Sequence, residues 1–335
     1  MSGANCKEVD PRKEEEEEEE EEEMVTGMGS YKGKVRMVRG DPSDEMMLLW
    51  GLQQPTFSKP NAFVSQSSLN LTLDACGRRL SISQSPSSLG APGVTGSVMW
   101  DSGIVLGKFL ENAVETGLLG LQGKKVVELG AGCGLVGCIA ALLGAQVILT
   151  DMPDRLRLLK KNIEDNMYGD VRGCATANEL TWGDRPEPEL VEPLPDFGTV
   201  YLPDSSLVKA PLSNDLAEVY KEVVIGSDVI YSEEAVTDLL DTLVELSGIN
   251  TTIILAGELR NGNSLRCYIR LLLKSVTPLV RVDVIFEAVG CLADAILEYF
   301  LEAAMEEFMI GRVDQAGWHP DYRSPRVAMY VLVMK

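Results

Sequence analysis

Three stretches of the 335-residue chain carry residues whose types and spacing suit chemistry. The first is "VVIGSDVIY", an apolar run that ends with an acid, Asp228, and a phenol, Tyr231, three residues on. A strand that only fills a core can stop at any turn residue, whereas one that ends at a ligand crevice needs polar groups at its carboxyl end. An acid there accepts N–H bonds and stabilises positive charge, and a tyrosine offers its ring face to a cation. The second stretch is "VVELGAGCGLVG", in which Gly130, Gly132 and Gly134 satisfy GxGxG while Gly132, Gly134 and Gly137 satisfy GxGxxG. Both patterns use glycine to bring backbone close to a ligand at a helix N-terminus. The third is Asp151, closing "QVILTD" 19 residues after Gly132, where a carboxylate grips ribose hydroxyls.

The glycine loop suits either NAD or S-adenosylmethionine and by itself does not separate them. Glu128, two residues before Gly130, favours the second: a carboxylate there meets a cationic amino group and would oppose a pyrophosphate. No second nucleotide-binding half is visible either.

These residues need elements to hold them, and the surrounding pattern supplies strand, loop, helix, strand. An apolar strand runs to Glu128, a helix follows to Gly144, and a second strand closes on Asp151. "PDRLRLLKKNIEDN" is a helix with Pro153 at its start; "CATANELTW" and "VVIGSDVIY" are the third and fourth strands. "EEAVTDLLDTLVELSG" and "NTTIILAGEL" add a helix and a fifth strand, and the C-terminus two more. Alternating helices and apolar strands predict an α/β fold with a parallel, doubly wound sheet. Upstream, Leu69, Leu71 and Leu73, a Gly77 turn, then Leu80 and Ile82 predict a β-hairpin, and "MWDSGIVLGKFLENAVETG" a helix from Asp101–Ser102 to Gly117.

Composition narrows the options. With 45% hydrophobic residues the chain affords a sizeable core, and a net charge of −21 argues against a nucleic-acid-binding surface. Residues 1–23 hold three basic residues against twelve acidic ones, including the run Glu14–Glu23. Residues 1–45 are therefore expected to be a disordered acidic tail, either simply solvated or a tether for a basic partner. Seven scattered cysteines without a CxxC pair read as reduced packing residues, and His319 is the only histidine, which leaves little material for a metal site. No charge-free run reaches about 18 residues, so no membrane span is expected.

The ordered motifs "VMWDSG", "VVELGAGCGLVG", "LTD", "LTWGD" and "SDVIY" resemble those of the seven-strand (class I) protein-lysine methyltransferases, methyltransferase family 16 or the methyltransferase-like 21 group, over residues 46–335. The resemblance implies a Rossmann-like, doubly wound seven-strand methyltransferase sheet with an N-terminal β-hairpin extension. It places an extension and linker at 46–99 and the S-adenosylmethionine-dependent domain at 100–335. It puts cofactor contacts on Trp100, Gly130, Ala131, Gly132, Asp151, Trp182 and Ser227, with Trp182 packed on adenine, beside the Glu128 contact read above. Asp228 and Tyr231 would face the methyl group and the incoming amine. A lysine amine, with an ordinary pKa of about 10.4, attacks only when neutral; a nearby sulfonium and desolvation lower that pKa, and Asp228 raises it. Asp228 is thus cast as an orienter and Tyr231 as a channel wall. The implied partner is a protein presenting a lysine, of the chaperone, elongation-factor or histone class, met by a monomer in the cytoplasm and also the nucleus. The alternatives are a methyltransferase of a small molecule or another protein group, a catalytically silent protein that kept the fold, and, more distantly, an NAD-binding protein.

Two stretches depart from the family pattern. Residues 198–222 look inserted between "PDF" and "VVIGSDVIY". Residues 262–293 are apolar and basic, and removing them rejoins "ELRN" to "DAILEYF". They read as a translated intron, against the rival of a genuine insertion forming a helix and a strand beside the substrate mouth.

Overall fold

The computed structural model describes residues 24–52, 62–88, 96–191, 223–259 and 293–335. The chain begins with strands β1 (Met24–Met28) and β2 (Tyr31–Met37), helix α1 (Pro42–Leu52) and strands β3 (Asn70–Ala75) and β4 (Arg78–Ser83). Helix α2 (Asp101–Glu115), β5 (Lys125–Leu129), α3 (Leu135–Leu142), β6 (Gln146–Asp151), α4 (Leu156–Asn166) and β7 (Cys174–Glu179) follow. The rest is α5 (Pro188–Val191), β8 (Val223–Ser227), α6 (Glu233–Glu245), β9 (Thr252–Glu258), α7 (Ala293–Glu307), β10 (Phe308–Val313) and β11 (Val327–Met334).

Nine strands form one sheet in the order β1-β2-β10-β11-β9-β8-β5-β6-β7. The five from β9 to β7 pair in parallel, because each connection crosses over through a helical or long segment. β5 is buried at all five positions, as an apolar strand covered on both faces must be. One face packs α2, α3 and α4 through Phe109, Val136 and Leu159, and the other packs α1, α6 and α7 through Met46, Leu239 and Phe300. The chain winds one way from β5 to β7 and the other from β8 to β9. The topological switch point therefore falls between β5 and β8, where open α/β sheets bind ligands.

Several expectations need correction. The parallel reading holds for the five strands from β9 to the β7 edge, whereas β11 runs antiparallel to β9 and β10 antiparallel to β11. The sheet has two strands beyond the expected seven, and both come from residues placed in the disordered tail. Residues 24–45 are not a solvated lead-in. Tyr31 and Val35 alternate with exposed lysines along β2, which pairs antiparallel with β10, and Tyr31 packs its ring 5.4 Å from that of Phe109. A glutamate run beside so short an alternation dominates the local composition and hides it. Residues 1–23 lie outside the described residues, as do 198–222 and all but the last residue of 262–293. Helix α4 starts at Leu156, with Pro153 in the turn ahead of it.

The predicted hairpin is a separate two-stranded sheet, β3–β4, with Leu73 paired to Leu80. Two asparagines on α4 hold it. Asn162 accepts from the Ser83 N–H at 2.9 Å and donates to the Ser83 carbonyl at 3.0 Å, and Asn166 does the same for Ser81 at 2.8 and 3.0 Å. Asn162 also donates to the Cys133 carbonyl at 2.9 Å, so the hairpin is tied directly to the glycine loop.

Candidate functional site

A cavity of about 230 Å³ opens at the carboxyl ends of β5 and β8. Its floor is the turn that follows β5. Gly130, Gly132 and Gly134 all take left-handed backbone, with φ of 57°, 54° and 81°, which side chains disfavour. At Gly132 a Cβ would also meet the Gly96 carbonyl oxygen at 2.9 Å, so the loop and the segment 96–100 can lie together only without side chains there. Gly134 caps α3, whose N-terminus follows this turn directly.

Asp151 ends β6 at the rim. Its carboxylate accepts from the Gly132 N–H at 2.6 Å and from the Met152 N–H at 2.7 Å, which fixes its orientation toward the cavity it lines. Burial raises its pKa above the ordinary value, offset in part by those two N–H bonds.

Trp182, in the loop after β7, and Tyr231, in the loop after β8, close one side with ring centroids 6.0 Å apart at 49°. The Gly183 N–H donates to Thr242 of α6 at 3.0 Å and so anchors the Trp182 turn. Tyr231 is 40% exposed, and burial together with Asp151 pushes its phenol pKa up, so it stays protonated.

The fourth strand does not run on through Tyr231 as predicted. It stops at Ser227 because Asp228 takes left-handed backbone, φ 54°. That turn aims Asp228 back at its neighbours. Its N–H donates to the Ala256 carbonyl at 2.8 Å, one oxygen accepts from the Glu258 N–H at 2.9 Å, and the other accepts from the Ser102 hydroxyl. Asp228 does not cap α6, where Ser232 holds the cap position.

Of the residues singled out in the sequence, Trp100, Gly130, Ala131, Gly132, Asp151, Trp182, Ser227, Asp228 and Tyr231 all line this cavity. Glu128 does not, which corrects the reading that set it against a cationic amino group. It lies 1% exposed within the sheet, and its carboxylate accepts from the Gly137 N–H at 2.9 Å in the first turn of α3. Burial pushes its pKa up to about 8 despite that bond. Its work is to cap the helix beneath the loop.

Sequence reasoning missed Gly96, Arg155 and Asp238, which also line the cavity. Arg155 donates to Ser97 at 3.3 Å and so braces the segment lying over the glycines. No motif marks these three. Cys133 lines the cavity too, but burial pushes its thiol up to about 12, which removes it as a nucleophile. Among the described residues, no group of His, Cys, Asp and Glu has the arrangement to hold a metal ion. His319 sits in a loop, accepting from the Asp321 N–H at 3.2 Å.

Comparison with known proteins accords with this geometry. Residues 79–197 and 209–274 match the profile of a family described as Lysine methyltransferase. The match therefore includes parts of both stretches that depart from the expected pattern. The chain is 40% identical to mouse protein N-lysine methyltransferase METTL21A over 164 residues, which are 49% of this chain and 61% of that protein. It is 34% identical to the METTL21A of Danio rerio over 219 residues, 65% of this chain and 79% of that one. Mouse EEF1A lysine methyltransferase 3 is 32% identical over 200 residues, covering 59% and 69% respectively.

Proposed function

Because the chain belongs to the lysine methyltransferase family, we propose that it transfers a methyl group from S-adenosylmethionine to the ε-amine of a lysine in a protein. One observation carries the reading: Asp228 and Tyr231 share a single cavity with the glycine loop and Asp151. A carboxylate and a phenol thus stand beside a cradle fit for a nucleoside.

The residues present fit the cofactor. A Cβ at Gly132 would collide with the backbone of Gly96, and one at Gly130 would meet Trp182 at 3.3 Å, so the floor is kept bare for backbone contact. Asp151 is oriented to take ribose hydroxyls, Trp182 offers a face to adenine, and Trp100, Ala131 and Ser227 complete the walls. Bound there, S-adenosylmethionine supplies an activated methyl group on a positive sulfur.

The chain then has mainly to align a neutral amine in line with that methyl group. Asp228, held by Ser102 and the Glu258 N–H, accepts an N–H of the amine and stabilises the positive charge that grows on nitrogen. Tyr231, protonated, walls the path and presents its ring to the cation.

The substrate is a protein. A relative named EEF1A lysine methyltransferase 3 supports an elongation factor as the first to try, with chaperones and histones beside it. Free cysteines such as buried Cys133 and Cys138 support a reducing compartment, cytoplasm first and nucleus second. The test is a lysate incubated with the chain and isotope-labelled donor, then hydrolysed to amino acids. Label in methylated lysine supports the reading; label in any other residue, or in small molecules only, overturns it.

A further inference from the structure

Resting on that reading, we propose that Gln84, which does not itself line the cavity, is a positioning residue of the donor site. It fixes the peptide at Met99 and so sets the wall 96–100 against the glycine loop. The β3–β4 hairpin is then a working part of donor binding rather than an appendage.

That wall needs a hold. Gly96, Val98, Met99 and Trp100 line the cavity, yet the segment belongs to no strand and only leads into α2. Backbone without ladder bonds keeps its place through neighbouring side chains and peptides. The segment also lies close on the floor. The Cys133 thiol donates to the Gly96 carbonyl at 3.7 Å, and the same oxygen leaves no room for a Cβ at Gly132.

The chain just past β4 supplies the hold. The Ser85 N–H donates to the Ser97 carbonyl at 2.8 Å, and Gln84 Oε1 accepts from the Met99 N–H at 2.7 Å. Gln84 is 5% exposed, and its Nε2 donates to the Ser68 carbonyl at 2.9 Å and to that of Ser65 at 3.2 Å. One acceptor and two donors engaged at once determine which way the amide faces. Gln66 donates to the Met99 carbonyl at 3.3 Å, so the residue before Trp100 is held at both its N–H and its C=O.

The same hairpin end reaches the floor. Asn162 joins Ser83, the neighbour of Gln84, to the Cys133 carbonyl in the glycine loop. Floor and wall are thus referred to one piece of backbone, residues 83–85. A donor bound between them meets a wall whose place depends on one buried amide. Without that amide the Met99 N–H loses this acceptor, and the wall regains a partner only by moving. Preorganisation lost in this way is read as donor affinity.

The test compares Gln84→Met with Gln84→Glu in the full chain. The first keeps the length and removes the amide. In the second a buried carboxyl takes up a proton, and so retains an acceptor and one donor. Calorimetric titration with S-adenosylhomocysteine gives donor-site affinity, and melting temperatures are recorded beside it. Gln84→Met is expected to raise the dissociation constant about tenfold, the cost of one orphaned N–H, and Gln84→Glu to stay within about threefold of wild type. Asn112→Ala loses a bond to the Gly317 carbonyl at the end of α2 away from Trp100, and shows what destabilisation alone does. Its affinity is expected to stay within about twofold of wild type.

Transfer assays separate positioning from chemistry. Gln84→Met is expected to raise the KM for S-adenosylmethionine by the same factor as the dissociation constant, with the rate at saturating donor within about threefold of wild type. If Gln84→Met does not fold, Gln66→Ala serves, with an expected rise of about threefold in the dissociation constant. Wild-type affinity in the folded variants, or a loss no larger than that of Asn112→Ala, overturns the proposal and leaves the proposed function standing. A wild type that binds neither S-adenosylmethionine nor S-adenosylhomocysteine overturns both.

Discussion

The rings of Trp182 and Tyr231, carried by loops after different strands, meet at 6.0 Å between centroids and 49° between planes, and together they close one side of the cavity. The pair separates two roles. Tyr231→Phe keeps the ring face and removes the hydroxyl, which on this account meets the amine as positive charge grows on it, so donor affinity should stay within about twofold while transfer falls about tenfold or more. Trp182→Ala removes the adenine face and should weaken donor binding itself. Calorimetric titration with S-adenosylhomocysteine and initial-rate measurements distinguish the two variants.

Gly132→Ala meets two obstacles, left-handed backbone at φ 54° and the Gly96 carbonyl 2.9 Å from its Cβ. Gly123→Ala meets only the first, with φ 72° and open space around it. Each should lose about 1–2 kcal/mol to the backbone. Gly132→Ala should in addition push the segment 96–100 off the glycine loop and lose most donor affinity. Melting temperatures and titrations of both variants check this.

The buried Glu128 sets a pH dependence. Its pKa is about 8 in the folded protein against an ordinary 4.5, so between those values the folded state keeps a proton that the unfolded chain releases. Stability from this group is therefore full below about pH 4.5 and falls as pH rises toward 8. Glu258, at about 7, adds a fall of the same sign over a narrower window. Glu128→Gln, which can still accept from the Gly137 N–H, should flatten the decline in melting temperature between pH 5.5 and 8. A decline as steep as that of the wild type would contradict the assignment.

Asn162 is fully buried and bridges the hairpin to the glycine loop through Ser83 and Cys133. Asn162→Ala leaves the buried Cys133 carbonyl and the two half-buried backbone groups of Ser83 without this partner and should cost about 2–4 kcal/mol. Amide hydrogen exchange should rise in both β4 and the turn at 130–134. A rise confined to β4 would mean that the hairpin and the loop are not coupled.

Most of the site was legible in the sequence because its parts sit at strand ends, where glycine, an acid or an aromatic breaks an apolar run. That logic found Asp151, Asp228 and the glycine turn. Applied to "AGEL" it would also have found Glu258, an acid at the carboxyl end of β9 beside Asp228. Glu128 was misplaced because its position in sequence does not reveal which way its side chain leaves the strand, and here it turns to the helix N-terminus. Arg155, in the turn before α4, and Asp238, on α6, were not legible, since a polar residue at either place looks the same whether it meets solvent or a cavity. Strands β1 and β2 were hidden by the acidic run beside them and by the pairing of β2 with β10 across more than 270 residues, as in Gly311 with Met37.

The central claim is that Asp228 receives a protein lysine beside a bound methyl donor. The most direct test compares wild type with Asp228→Ala for donor affinity and for transfer of labelled methyl to lysine ε-amines. The account predicts equal affinity for S-adenosylmethionine and a transfer rate reduced at least about a hundredfold in the variant. Transfer that persists at the wild-type rate with donor binding unchanged would contradict it.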